Sequence, residues 1–269
     1  MALPWVGLPV VRIARFTTGD EPTYGVVGGP EGDEIVASVV GDPLYQGVEL
    51  TGEQFPLVDV RLLAPVIPRS KVVGIGRNYA AHAAELGNEA PDEPLVFLKP
   101  NTSVIGPFDP IVYPVESTDV HYEGELAVVI GRICRDVPID KVGDVIYGYT
   151  VANDVTARDL QQKDKQWARA KGYDSFCPLG PWIETDIDPA DLLVTTTLNG
   201  ELKQSGSTRL MIFDVAALVS YVTSFMTLLP GDVIVTGTPE GVGPMKPGDE
   251  VSVTVAGIGT LTNRVVARD

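Results

Sequence analysis

The sequence predicts a β-rich α+β fold, on three observations. Apolar runs of strand length recur along the chain between turn residues. The 28 glycines and 22 prolines punctuate those runs. Few stretches read as helix, the longest being Val215–Leu229 before Pro230-Gly231, and neither a regular βαβ rhythm nor an internal repeat is present.

In chain order, Val10–Phe16, Tyr24–Val27 and Glu34–Val40 read as short strands. Pro65 and Pro68 make Val60–Arg69 an extended connector. A boundary falls there, giving a small β-rich N-terminal domain over 1–68 and a larger domain over 69–269. Lys71–Ile75 is a strand, and Asn78–Leu86 is helical with Asn78 as N-cap. Leu95–Leu98, Leu126–Ile130 and Val145–Val151 are strands, and Arg158–Ala170 is helix-like. Leu193–Leu198 turns through Asn199-Gly200 into Glu201-Leu-Lys as a two-residue hairpin. Val233–Thr236 and Glu250–Val255 are further strands.

Composition narrows the function. Acidic residues outnumber basic ones 36 to 20, for a formal charge of −16. With no Lys/Arg run, nucleic acid is not an expected partner. Cys134 and Cys177 form no CxxC pair, which removes a disulfide framework and points to the reducing cytoplasm. The longest apolar stretch is interrupted by Ser220, Thr223, Ser224 and Thr227 and is too short to span a bilayer. A chain this acidic needs a local positive device, such as a metal ion, to bind an anionic substrate.

Several motifs carry chemistry. Gly74-Ile-Gly76-Arg-Asn-Tyr79 has tyrosine where a dinucleotide fingerprint needs its third glycine, and Thr236–Pro244 lacks the Gly-Lys-Ser/Thr of a phosphate loop. In Glu123-Gly-Glu125, the two carboxylates share one face of a strand entering an apolar run. Alone, such a pair is an ordinary solvated strand edge; between them a hard divalent cation would relieve their repulsion. Asp154 ends another apolar run and either completes a three-carboxylate site or caps the next helix. His82 and Glu85, three residues apart, share a helix face, as a surface pair or as a general base oriented by its carboxylate. His121 could share the strand face of Glu123.

Six ordered segments resemble the fumarylacetoacetate hydrolase family. They are Gly76-Arg-Asn-Tyr-Ala-Ala-His82-Ala-Ala-Glu85, Phe97-Leu-Lys-Pro100, Tyr122-Glu-Gly-Glu-Leu-Ala-Val-Val-Ile-Gly131, Asn153-Asp-Val-Thr-Ala-Arg-Asp159, Lys171-Gly-Tyr-Asp-Ser-Phe176 and Thr236-Gly-Thr-Pro-Glu-Gly-Val-Gly243. The resemblance runs from about Lys71 to the C-terminus. It implies a mixed β-sandwich roll, a small N-terminal domain and commonly a homodimer. It implies Mg²⁺ or Mn²⁺ at Glu123, Glu125 and Asp154, and a catalytic His82–Glu85 dyad on a segment that closes over substrate. Lys171 matches the lysine near metal and substrate; Arg77, Gln161 and Thr238 match positions that contact the substrate's carboxylate or oxo oxygen.

The expected activity is cleavage of a carbon–carbon bond in a small 2-oxo acid, as in acylpyruvate hydrolases or oxaloacetate decarboxylases. The alternative within the family is 2-hydroxyhepta-2,4-diene-1,7-dioate isomerase. From another class, a catalytically weak metal-dependent binding protein of the same fold would have no need of the dyad. The segment Leu86–Glu93 is short and acidic, which would discourage a second substrate carboxylate unless Arg77 or Lys171 offsets it.

Overall fold

A computed structural model describes residues 12–19, 21–30, 32–85 and 87–268. Three sheets build the fold. The largest has twelve strands, ten of them in the order Leu50–Pro56, Ile35–Val39, Thr23–Gly28, Arg12–Thr17, Cys177–Glu184, Ile146–Asn153, Gly124–Ile130, Val233–Val235, Val72–Gly76, Leu95–Lys99. The N-terminal strands therefore extend the main sheet, because Arg12–Thr17 pairs antiparallel with Cys177–Glu184. A five-stranded sheet containing Leu193–Leu198 and Glu250–Val255 packs against this one, and a three-stranded sheet centres on Val120–Tyr122. The result is the β-rich α+β sandwich that the sequence predicts.

Strand Gly124–Ile130 is buried along its whole length. Its even positions, Leu126, Val128 and Ile130, meet the second sheet and the helix Val215–Phe225 in one core. Its odd positions, Ala127 and Val129, pack with Ala152, Leu179 and Ile13 in another. Gly124 belongs to the even side, where a Cβ would lie 2.2 Å from the Thr196 hydroxyl. Glycine is thus required there, and Glu123 and Glu125 are turned to the other face.

Several local expectations need correction. Asn78 does not cap a helix, which begins at Ala80. Instead its buried amide donates to the carbonyls of Phe213 and Thr236 at 2.9 and 2.8 Å, and its oxygen accepts from Phe213 N–H at 2.9 Å. Arg158–Ala170 is two helices, Arg158–Asp164 and Trp167–Gly172, broken at Lys165 with φ 58°. The helix from Val215 ends at Phe225, not Leu229. Within the expected connector, Arg61–Leu63 pairs as a strand with Arg12–Thr17. Strand Cys177–Glu184 is additional; Gly180, Pro178 and Pro181 hid it. The hairpin is as expected, with positive φ at both Asn199 and Gly200. Val10 and Val11 of the first expected strand and Leu86 of the first expected helix lie outside the described residues.

Candidate active site

The carboxylates come together through strand register. Glu125 pairs with Ala152 and Gly124 with Asn153, and Asp154 N–H then donates to Glu123 C=O at 2.8 Å. Glu123, Glu125 and Asp154 therefore meet on one face at the end of one strand pair. Each is buried, and one ligand oxygen from each lies within 4.8 Å of the others. Asp154 does not cap the following helix, which starts at Arg158. Three carboxylates with no thiolate or imidazole among them form a hard oxygen donor set, which fits Mg²⁺ or Mn²⁺.

Three buried cations surround the cluster. Lys171 Nζ donates to Glu123 at 2.9 Å, Asp154 at 2.5 Å and the Thr156 hydroxyl at 2.8 Å. Lys99 holds the other Asp154 oxygen from within the sheet. Arg158 Nη2 lies 2.5 Å from Glu123, while its Nε and Nη2 lack an aligned hydrogen-bond acceptor. The sequence reading missed Lys99 and Arg158 as site residues, although both stand inside quoted motifs. The available signal was a lysine closing an apolar strand, with a parity that places it beside Phe97.

These charges divide the carboxylates. Burial would raise the carboxyl of Glu123, but Lys171 and then Arg158 outweigh it and hold it well below its ordinary range. Burial, joined by Asp154 and Glu123, pushes Glu125 well above its ordinary range, against the Gly237 N–H bond at 2.7 Å. Burial would lower Lys171, yet Asp154 and Glu123 keep it raised.

A cavity of about 390 Å³ opens on Glu123, Glu125, Lys171 and His82. His82 is buried on helix Ala80–Glu85, with Nδ1 3.3 Å from a Glu85 oxygen. Gly241 N–H donates to the Glu85 carboxylate at 3.0 and 3.2 Å. The loop from Thr236 to Gly243 thus reaches both a carboxylate of the cluster and the dyad, a role its composition did not reveal. Arg77, Gln161 and Thr238 also line the cavity. The Thr238 hydroxyl is already engaged, donating to Gly124 C=O and accepting from Gln204, both at 2.8 Å. Gln161 accepts from Arg158 at 3.1 Å. His121 lies outside the cavity lining, with Nε2 2.8 Å from Asp119; burial and Arg158 lower its pKa. Gly74 and Gly76 serve packing rather than phosphate binding, since Cβ atoms there would strike the rings of Phe97 and Trp167.

The profile described as fumarylacetoacetate (FAA) hydrolase C-terminal matches residues 71–266, and the Rv2993c-like N-terminal profile matches 11–65. The chain belongs to the fumarylacetoacetate hydrolase family. A solved Mycobacterium smegmatis structure described as 5-carboxymethyl-2-hydroxymuconate delta-isomerase is 51% identical. That likeness covers 96% of this chain and 100% of the other, with TM-score 0.89. The mitochondrial oxaloacetate decarboxylase of Dictyostelium discoideum is 46% identical, over 71% of this chain and 90% of that protein. A fumarylpyruvate hydrolase from Pseudomonas aeruginosa, solved with Mn²⁺ and pyruvate, is 34% identical over 77% of this chain and 92% of its own, with TM-score 0.71. The family and these relatives make the chain an enzyme of small molecules. Among the described residues, no helix is long and apolar enough to cross a membrane.

Proposed function

We propose that this enzyme cleaves a carbon–carbon bond in a small 2-oxo acid, as an acylpyruvate hydrolase or oxaloacetate decarboxylase dependent on Mg²⁺ or Mn²⁺. The observation that carries the reading is the buried three-carboxylate cluster opening on a cavity that also holds His82 and Glu85. Glu123, Glu125 and Asp154 would hold the cation, which supplies Lewis-acid stabilisation of charge developing on the 2-oxo oxygen. Arg158, ion-paired with Glu123 and left with a buried Nε–H that has no acceptor, receives the substrate's first carboxylate. Lys171, whose three N–H groups go to Glu123, Asp154 and the Thr156 hydroxyl, holds the carboxylates in place and adds positive charge beside the same end of the substrate.

For an acylpyruvate, His82 takes a proton from water through the nitrogen that Glu85 leaves free. The resulting hydroxide adds to the distal carbonyl, and collapse breaks the C–C bond to release a carboxylic acid and the pyruvate enol. For oxaloacetate, CO₂ leaves without water, the bonding pair passes into the pyruvate enolate, and one proton is then added at carbon. A second reading, isomerisation of a 2-hydroxy diene-dioate by proton transfer between carbons, is favoured by the M. smegmatis relative's name. The site belongs to residues 69–269 in this proposal, with a supporting role for 1–68, since every residue lining the cavity falls between Ile75 and Thr238. The proposal includes a homodimer, as the family resemblance implies. It also includes a cytoplasmic setting, supported by two free buried cysteines.

The test is turnover of acetylpyruvate, oxaloacetate, fumarylpyruvate and the diene-dioate with Mg²⁺, Mn²⁺ or EDTA, in wild type and His82→Ala. Chelation should abolish turnover and either cation should restore it. His82→Ala should cost about 10²–10⁴ in rate on acetylpyruvate, and less on oxaloacetate. Full activity without metal would sink the assignment of the three carboxylates. Equal, minor losses on both substrates would remove His82 from the catalytic machinery and leave it a buried structural histidine. Turnover of the diene-dioate alone would establish the isomerase.

A further inference from the structure

The cations lining the cavity fall into two groups. Lys171 and Arg158 are committed to Glu123 at its inner end. Arg77 and Lys165 line the same cavity and form no ion pair with any described residue. Both have left-handed backbones, with φ 57° and 58°. That conformation is costly for side chains with a Cβ, and strain of this kind gathers at ligand sites. Lys165 stands at the break between two helices, a position that glycine or asparagine ordinarily takes. The partial negative charge of a helix end favours a cation there, but it does not require one that faces the cavity.

A direct contact ties the two segments together. A Cβ on Gly76 would lie 2.5 Å from the Trp167 ring, so strand end and helix start touch. Arg77 follows that contact by one residue, and Lys165 precedes it by two. Trp167 is braced in turn by Phe97, edge to face at 5.4 Å. The two free cations therefore emerge from one rigid joint onto one cavity.

The acidic segment after helix Ala80–Glu85 contributes Asn88 to the cavity lining and none of its carboxylates. The Glu85 carboxylate is turned to His82 and Gly241 N–H, and the Tyr221 hydroxyl reaches Glu93 at 3.5 Å. The carboxylates that line the cavity are Glu123 and Glu125, at its inner end. We propose that Arg77 and Lys165 form a second anion subsite, which takes the distal carboxylate of a 2-oxo dicarboxylic acid. This rests on the 2-oxo acid reading and narrows it to dicarboxylates, with Lys165 as a specificity-determining residue.

Lys165→Asn tests the subsite, because asparagine accepts the left-handed backbone and carries no charge. Lys165→Glu is the stronger companion at this exposed position. The ratio of kcat/KM for fumarylpyruvate to that for acetylpyruvate should fall at least tenfold in Lys165→Asn, and further in Lys165→Glu. Calorimetry on the Mn²⁺-loaded enzyme compares pyruvate with 2-oxoglutarate. Wild type should prefer the dicarboxylate at least tenfold, and both variants should lose that preference. Turnover ratios and calorimetric preference that both stay within twofold of wild type would overturn the subsite while leaving the reaction standing. A wild type that turns over no 2-oxo acid, yet shows the calorimetric preference and loses it in the variants, would overturn the reaction and keep the subsite.

Discussion

Strands Gly124–Ile130 and Leu50–Pro56 have seven residues each and belong to the same sheet, yet they live in different solvents. The first is central and wholly buried, with apolar partners on both faces. The second is an edge, exposed at every position except the half-buried Phe55. The difference shows where a carboxylate can be put to chemical use. At the edge, water would solvate it and leave it ordinary. At the end of the central strand, burial makes charge costly enough that Glu123 depends on Lys171 and Arg158, while Glu125 is pushed towards its neutral form.

Removing a buried counter-charge sharpens that contrast most. Lys99→Met leaves one Asp154 oxygen without its partner, and breaking a buried ion pair costs about 3–5 kcal/mol. Lys171 still contacts Asp154, so the lower end, about 3 kcal/mol, is expected for the metal-free protein in urea unfolding. A loss below about 1 kcal/mol would mean that water reaches the site and the burial argument fails.

How far the site was legible follows the same division. Glu123 and Glu125 were readable because strand parity is local: two residues apart means one face. His82 and Glu85 were readable for the matching reason on a helix. Lys99 was not, because its partner Asp154 is 55 residues away and follows a strand that does not pair with Leu95–Lys99, so only the tertiary fold joins them. The loop at Gly237 and Gly241 was missed because backbone N–H groups carry no sequence signature. Likewise the edge-to-edge joining of Arg12–Thr17 to Cys177–Glu184 is a long-range pairing that no local pattern encodes.

A smaller effect separates the two glutamates by pH. Because burial and its neighbours raise Glu125 on folding, the folded chain binds that proton more tightly than the unfolded one. Stability from this group is present below the ordinary carboxyl value of 4.5 and is lost as pH rises towards the raised one. The metal-free wild type should therefore lose up to about 1.4 kcal/mol per pH unit above that point. Glu125→Gln should remove this slope, and saturating Mg²⁺ should suppress it in wild type. Glu123, held low, has the opposite dependence and loses its contribution only as pH falls below 4.5. Parallel pH profiles for wild type and Glu125→Gln, followed by thermal melting, would contradict the assignment of the raised carboxyl.

The smallest expected effect belongs to the edge. Leu50 is 58% exposed at the start of its strand, where it pairs with Val39 and lies at the far end of the sheet from Leu95–Lys99. Leu50→Thr keeps β-propensity and removes little buried area, so stability should change by no more than about 0.5 kcal/mol. On the central strand, Val128→Ala removes two methyl groups from a fully buried position. The lost burial and the cavity left behind should together cost about 2 kcal/mol. The pair is measured by urea unfolding under one set of conditions, with kcat on the best substrate as the second readout. Leu50→Thr should leave kcat at the wild-type value, since no residue of its strand lines the cavity. A loss of kcat in that edge variant would show that the N-terminal strands govern the site through the shared sheet.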